Sequence, residues 1–222
     1  MTTQETFPSF APLIGPLGFY PVVPDAHWVE RLLAWGVRTV QLRFKPTGAD
    51  DAAVHQQVQA AVAAGRAVPG AQVFINDHWR HALALGAYGV HLGQEDWAAL
   101  SEAERAQLSN SGMRLGLSTH TPEELALAHA AKPSYLAIGP VYPTTLKAMP
   151  YPPVGLERLK EWAQHAAPYP VVAIGGITLE YMPGVWACGV DGVAVVSAVT
   201  QAADPQQAAQ QGLQMALRRT AV

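Results

Sequence analysis

Three polar side chains alternate with apolar ones in the stretch TVQLRFK, residues 39–45. Gln41, Arg43 and Lys45 fall at every second position, so in a β-strand they share one face. Two cations on one strand face can bind an anion, but confining them without a partner costs free energy. Either carboxylates from other strands neutralise them in an internal salt-bridge network, or an anionic substrate does so.

Carboxylates that could take part in such chemistry follow two later apolar runs. The run QVFIND ends in Asn76 and Asp77, and the run GVHLGQED ends in Asp96. Magnesium takes oxygen ligands from one or two carboxylates, water and substrate phosphate, so the two aspartates could share one ion. Alternatively, each aspartate caps the helix that follows it. Because the pair accompanies two cations, we favour a magnesium site.

Small residues follow the last two apolar runs, AIGGI and VVSA. Gly175 and Gly176 would let the backbone approach an anion closely, and Val196 and Ser197 could offer backbone amides and a hydroxyl. The sequence therefore predicts a phosphate cradle here. The alternative is that both glycines only serve tight turns.

A long segment, GPVYPTTLKAMPYPPVG at residues 139–155, contains Lys147, one of the few lysines in the chain. Long loops in compact domains are usually functional or disordered. We expect this loop to cover a substrate, with Lys147 as an anion ligand. The alternative is a proline-rich surface excursion.

The elements that must position these residues alternate regularly. Strand-like runs, from GFYPVVP to GVAVVS, are separated by Ala- and Leu-rich segments with helical spacing, in eight repeats. This predicts a single-domain (β/α)8 TIM barrel over residues 17–222, preceded by a poorly ordered or packing extension at residues 1–16. The rival is an open doubly wound sheet, but no G-x-G-x-x-G follows the first strand. In a barrel, Val40, Leu42 and Phe44 face the helices and the polar face of TVQLRFK points inward.

Composition narrows the function class. The 222 residues are 50% hydrophobic and 14% charged, with a net charge of −3 and no basic run, which argues against nucleic acid or an anionic membrane as a partner. A lone cysteine, no transmembrane run and no signal-peptide pattern favour a cytoplasmic protein. We expect small-molecule substrates, and a homo-oligomer is compatible with the sequence.

Seven stretches resemble thiamine phosphate synthase: VQLRFK, FIND, GVHLGQED, GLSTH, GPVYPTTLK, VVAIGGI and GVAVVSAV. They occur in order at the predicted strand ends, across roughly residues 18–205. The combination of QLRxK, IND and HLGQED is highly specific. The resemblance implies a magnesium-dependent TIM-barrel transferase. Such an enzyme joins hydroxymethylpyrimidine diphosphate to a thiazole phosphate and releases diphosphate.

The resemblance also implies residue roles. The pyrimidine diphosphate would be held by Gln41, Arg43, Lys45, Asn76 and Lys147, magnesium by Asp77 and Asp96, and the thiazole phosphate by Thr144, Gly176, Val196 and Ser197. Ser118, in GLSTH, would lie beside the pyrimidine, and catalytic roles fall to Ser118, Arg43 and Lys147. One position departs from the family motif P-T-x-T-K: Leu146 replaces its second threonine, and Thr145 is a candidate substitute for the lost substrate contact.

The implied chemistry is a dissociative substitution, in which cations and magnesium absorb the charge of the departing diphosphate. The sequence offers no obvious pair of nucleophile and base, which suits that reaction. Two other hypotheses stay open. A thiazole tautomerase on the same fold could use His120 as acid or base, although the intact QLRFK and the aspartate pair argue against it. A non-catalytic sensor of phosphate ligands is the other, although no partner surface is evident.

Overall fold

The barrel is closed. A computed structural model of the chain describes residues 9–46, 48, 50–144 and 151–219. Within them, parallel strands pair in chain order, and the last strand pairs with the first. The strands are β1 (Gly18–Val23), β2 (Thr39–Leu42), β3 (Gln72–Asn76), β4 (Gly89–Leu92), β5 (Arg114–Thr119), β6 (Tyr135–Ile138), β7 (Val171–Ile174) and β8 (Gly192–Val195). The prediction of a (β/α)8 barrel is confirmed, and the open doubly wound sheet is wrong.

Helices surround the strands. They are α1 (Ala26–Ala34), α2 (Asp51–Ala67), α3 (Trp79–Ala84), α4 (Gln94–Ala99), α5 (Glu102–Asn110), α6 (Pro122–Ala130), α7 (Gly155–His165), α8 (Met182–Trp186), α9 (Ser197–Thr200) and α10 (Pro205–Arg219). Local sequence starts several of them: Asp25, Ser101 and Thr121 each accept a backbone N–H as N-caps of α1, α5 and α6. No described helix is long and apolar enough to span a membrane.

The barrel wall separates two apolar cores, as parallel strands buried on both faces require. Val40 and Leu42 of β2 are fully buried in the outer core, between strands and helices, whereas Gln41 is buried inside the barrel. Strand β2 ends at Leu42, so Arg43 and Lys45 lie beyond its last residue. The Arg43 N–H still donates to the carbonyl of Val23 at 2.7 Å, which prolongs contact with β1. Within the strand, the predicted inward orientation is confirmed for Gln41 and the outward one for Val40 and Leu42.

Residues 9–16 pack across the N-terminal end of the barrel. Phe10 is buried in the outer core, and the Ser134 hydroxyl donates to the carbonyl of Ala11 at 2.6 Å. Tyr88 Oη accepts the Ile14 N–H at 3.1 Å and donates to the Gln72 side chain at 2.6 Å. The described part of the predicted extension is therefore a packing segment that closes this end, while residues 1–8 lie outside the described residues.

Candidate active site

A cavity of about 640 Å³ opens at the C-terminal ends of the strands. It gathers every predicted site residue that the structure describes: Gln41, Arg43, Lys45, Asn76, Asp77, Asp96, Ser118, Thr144, Gly175, Gly176, Val196 and Ser197. The volume lies in the range of small-molecule sites. Thr145, Leu146 and Lys147 lie outside the described residues, and with them the predicted covering role of the loop. The roles assigned to the individual residues stay predictions.

One side of the cavity carries its charges, and we call Arg43, Lys45, Asp77 and Asp96 the charged half. The Lys45 ammonium forms an ion pair with Asp77 Oδ2. Asp77 directly follows β3 and adopts a left-handed backbone with φ of 61°. Its N–H donates to the carbonyl of His91 at 3.1 Å, so the backbone holds the carboxylate at the junction of β3 and β4. Non-glycine residues in this conformation cluster at functional sites, and aspartate adopts it more readily than most side chains.

The two aspartates lie close enough to interact, and the Asp96 carboxylate also accepts the Gly93 N–H at the start of α4. The N-cap residues of α3 and α4 are His78 and Gly93, and neither helix has a side-chain cap hydrogen bond. The pKa of Asp96 is raised, first by loss of hydration in the cavity and then by the nearby Asp77 carboxylate. Two neighbouring carboxylates, one of them paired with a lysine ammonium, have the oxygen chemistry that a magnesium ion requires, so this pair fits the ion. Among described residues, no cluster of three or more His, Cys, Asp or Glu side chains is arranged for a metal.

The opposite side of the cavity carries no charged side chain among its described residues, and we call Gly175, Gly176, Val196 and Ser197 the glycine half. Both glycines have positive φ, 102° and 68°. A Cβ at Gly175 would lie 2.6 Å from Cα of Pro140, and one at Gly176 would lie 2.5 Å from the carbonyl oxygen of Pro143. The close approach of the loop after β6 thus requires both glycines, whether or not they also face an anion.

Beneath the cavity, a line of hydrogen bonds crosses the barrel interior. Gln41 Nε2 donates to Tyr20 Oη at 3.2 Å, and Tyr20 Oη lies 2.8 Å from Tyr135 Oη. His91 Nδ1 lies 2.7 Å from Tyr135 Oη, and His91 Nε2 lies 2.8 Å from Ser118 Oγ. Ser118 is thus in contact with a histidine that the sequence did not associate with it.

Sequence reasoning missed His91 and the two tyrosines. A signal for His91 was present, since in GVHL it alternates with Val90 and Leu92, which are fully buried in the outer core. Tyr135 carried no comparable signal, because it opens β6 within the apolar run YLAI. Its pairing with His91 depends on how three strands align around the closed barrel.

His120 belongs to a cluster at the rim of the cavity. Its Nδ1 lies 2.8 Å from Glu124 Oε2, and its backbone N–H donates to the same oxygen at 2.7 Å. The Tyr151 ring stacks on the imidazole at 4.8 Å between centroids, and its hydroxyl donates to Glu124 Oε1 at 3.0 Å. These contacts pin one ring nitrogen of His120 and join α6 to the residues that precede α7.

Sequence comparisons with known proteins identify one family for this chain. The family model described as thiamine monophosphate synthase matches residues 20–199. A thiamine-phosphate synthase from Klebsiella pneumoniae is 51% identical over 209 residues, covering 94% of this chain and 96% of its own length. One from Yersinia pestis is 51% identical over 199 residues, covering 90% of each chain.

A solved structure agrees with these sequence matches. The thiamine phosphate pyrophosphorylase from Pyrococcus furiosus superimposes with a TM-score of 0.77 at 29% identity, covering 91% of this chain and 96% of the other. A 3-hexulose-6-phosphate synthase from Salmonella typhimurium reaches a TM-score of 0.65 at only 19% identity, which indicates a shared fold alone.

Proposed function

The chain belongs to the thiamine monophosphate synthase family, and from that premise we propose how its cavity divides the reaction between two halves. The enzyme is a transferase that condenses hydroxymethylpyrimidine diphosphate with a thiazole phosphate, giving thiamine phosphate and diphosphate. In our proposal the charged half binds the diphosphate that leaves. The glycine half binds the phosphate that the product keeps.

The convergence of Arg43, Lys45 and the aspartate pair on one side of the cavity is the observation that carries this proposal. Breaking the bond to diphosphate leaves negative charge on the departing oxygens, and preorganised cations stabilise that charge as it develops. Asp77 and Asp96 would hold magnesium, which when bound neutralises part of the same charge. Lys45 would then exchange its contact with Asp77 for one with diphosphate, and Lys147 would add a further cation.

The pyrimidine ring would lie between the halves, over Gln41, Asn76 and Ser118. Gln41 and Asn76 are buried side-chain amides that can each donate and accept hydrogen bonds, which suits a ring that carries both an amino group and acceptor nitrogens. The C–O bond breaks with its electron pair leaving on diphosphate, which makes the methylene carbon attached to the pyrimidine ring electron-poor. The lone pair of the thiazole nitrogen then forms the new C–N bond to that carbon. The attacking nitrogen carries no proton in this step, so no protein base is required.

The proposal also covers the cellular compartment of the enzyme and the class of its binding partners. We infer a cytoplasmic enzyme, since its lone Cys188 is buried and unpaired and so needs no oxidising compartment. Its partners are small molecules rather than nucleic acid, in keeping with the net charge of −3. A homo-oligomer is compatible with this proposal.

The test is product formation by the purified protein from both substrates, with thiamine phosphate and diphosphate quantified together. We expect equal amounts of both products, dependence on magnesium and a lower turnover in Arg43→Ala. A thiazole tautomerase would instead isomerise its substrate without releasing diphosphate, and would fail in His120→Ala. A phosphate-ligand sensor would bind both substrates without turnover. Either result would contradict the proposal.

A further inference from the structure

Beneath the cavity, five side chains form a hydrogen-bonded series, Gln41–Tyr20–Tyr135–His91–Ser118. The number of hydrogens that each group can donate determines which group is the donor at each step. Each phenol has one hydrogen to donate. With the amide of Gln41 donating to Tyr20 Oη, the order that gives every hydrogen of the series an acceptor has Tyr20 donate to Tyr135 Oη. The hydrogen of Tyr135 is in turn left for His91 Nδ1.

A nitrogen that accepts a hydrogen bond carries no proton. His91 is then a neutral imidazole with its proton on Nε2, and that N–H donates to Ser118 Oγ. Burial raises the pKa of Tyr20 and of Tyr135, so both phenols keep the hydrogens that this order requires. A His91 with a proton on Nδ1, whether neutral or charged, would donate to Tyr135 and reverse the order, so that Tyr20 would point its hydrogen at the donating amide of Gln41.

The donor and acceptor order of these hydrogen bonds determines whether Ser118 can act as a nucleophile. A serine activated as a nucleophile needs a histidine nitrogen that accepts its proton, with the other nitrogen donating to a carboxylate or carbonyl. Here the far nitrogen of His91 lies against the phenol of Tyr135, which donates in this order. Ser118 Oγ therefore accepts from His91 and keeps its own hydrogen for another partner, and it lines the cavity where substrate binds.

We propose that Tyr20 and Tyr135 are positioning residues that hold His91 as the Nε2–H tautomer and thereby fix Ser118 as a hydrogen-bond donor toward the substrate. A ring nitrogen of the aminopyrimidine is an acceptor of the required kind. The inference deepens the proposed function and rests on it only for the identity of that acceptor. The histidine–serine pair is then an orienting device, which is consistent with a substitution that needs no protein nucleophile.

The direct test is the tautomer itself, read from the imidazole ¹⁵N shifts of full-length protein labelled at histidine, without substrate. His91→Gln identifies the signals. We expect the Nε2–H tautomer in the parent protein, and a mixture of both tautomers in Tyr135→Phe, which keeps the ring but removes the donor to Nδ1. Tyr88→Phe is the matched control, since its hydroxyl is lost at the opposite end of the barrel. An Nδ1–H or doubly protonated His91 in the parent protein would overturn the proposal.

Kinetics supply a readout that a purely structural role would not give. In Tyr135→Phe we expect kcat/KM for the pyrimidine diphosphate to fall about tenfold, the scale of one misdirected hydrogen bond, while the KM for the thiazole phosphate is unchanged. Tyr88→Phe should leave both substrates unaffected. The proposal would be contradicted if Tyr135→Phe raised the KM for the thiazole phosphate by the same factor by which it lowered kcat/KM for the pyrimidine diphosphate. If the parent protein makes no thiamine phosphate but shows the predicted tautomer, the proposed function is wrong, while the donor and acceptor order of the hydrogen-bonded side chains is confirmed.

Discussion

The two halves of the cavity would each meet a phosphorylated group, yet they are built differently. The charged half uses long side chains, Arg43 and Lys45, beside a carboxylate pair, after the ends of β2 to β4. The glycine half uses main chain and one hydroxyl, after the ends of β7 and β8. Its glycines are also fixed by packing against the loop that follows β6. One half presents charged side chains, and the other presents neutral backbone and one hydroxyl.

This difference matches the fates of the two phosphates in our proposal. Interactions that strengthen only in the transition state raise kcat, whereas those that are equal in ground state and transition state lower KM. Charge grows on the diphosphate as it leaves, so full cations are effective there. The thiazole phosphate keeps its charge throughout the reaction, so fixed backbone donors suffice. Substitutions in the two halves should therefore produce different kinetic signatures.

The largest effect is expected at the aspartate pair. Asp77→Ala or Asp96→Ala should lower turnover by roughly 10³-fold, since a bound metal supplies several kcal/mol of charge stabilisation. Steady-state assays over a range of magnesium concentrations measure this loss. Glu95→Ala is a matched control, because this exposed neighbour in the first turn of α4 does not line the cavity. Near-normal turnover in both aspartate variants, or full activity in chelator, would contradict the magnesium assignment.

A smaller loss is expected at the cations. Arg43→Ala and Lys45→Ala should each lower kcat about 10²-fold, the scale for removing one preorganised group that stabilises developing charge. The KM of the pyrimidine diphosphate should change much less. Thermal melts run in parallel separate catalysis from structure. Variants that turn over normally but melt at much lower temperature would mean that both cations belong to a structural ion-pair network.

The outer face of the same strand should behave in the opposite way. Leu42 is fully buried between the barrel wall and the helices, so Leu42→Ala should lower the free energy of unfolding by about 2–5 kcal/mol. Urea denaturation of this variant beside Arg43→Ala measures the contrast within two adjacent residues. A Leu42→Ala protein of normal stability would mean that the inward and outward faces of TVQLRFK are assigned incorrectly.

The smallest effect is expected in the glycine half. Ser197→Ala removes one hydroxyl but keeps the backbone amides, so the KM for the thiazole phosphate should rise about tenfold, as for one hydrogen bond to a charged group. Its kcat should stay near that of the parent enzyme. Initial rates with each substrate varied in turn decide this. A fall in kcat with both KM values unchanged would contradict the proposed difference between the two halves of the cavity.

Local periodicity was enough to predict much of this arrangement. The period of two in TVQLRFK oriented Gln41 correctly, and the rule that active sites lie at the C-terminal strand ends grouped Asp77 with Asp96. Neither inference required knowledge of which residues distant in sequence contact each other. Both depend on features that every parallel barrel shares.

Other features depend on the register of strands that are distant in sequence. Tyr135 meets His91 across 44 residues, and nothing in the run YLAI marks its hydroxyl as part of a polar chain. The packing role of Gly175 likewise arises from Pro140 on another loop. The contacts of residues 9–16 with Tyr88 and Ser134 were also beyond sequence reasoning, because the segment has no periodic pattern of its own.

The most direct test of the divided cavity is a crystal structure of this enzyme with both products, thiamine phosphate and magnesium diphosphate. We expect diphosphate against Arg43 and Lys45, with magnesium between it and the aspartates, and Lys45 released from Asp77. The phosphate of thiamine phosphate should lie on the backbone of Gly176 and Ser197. If diphosphate instead occupies the glycine half, or leaves the ion pair of Lys45 and Asp77 intact without contacting Arg43, the account is contradicted.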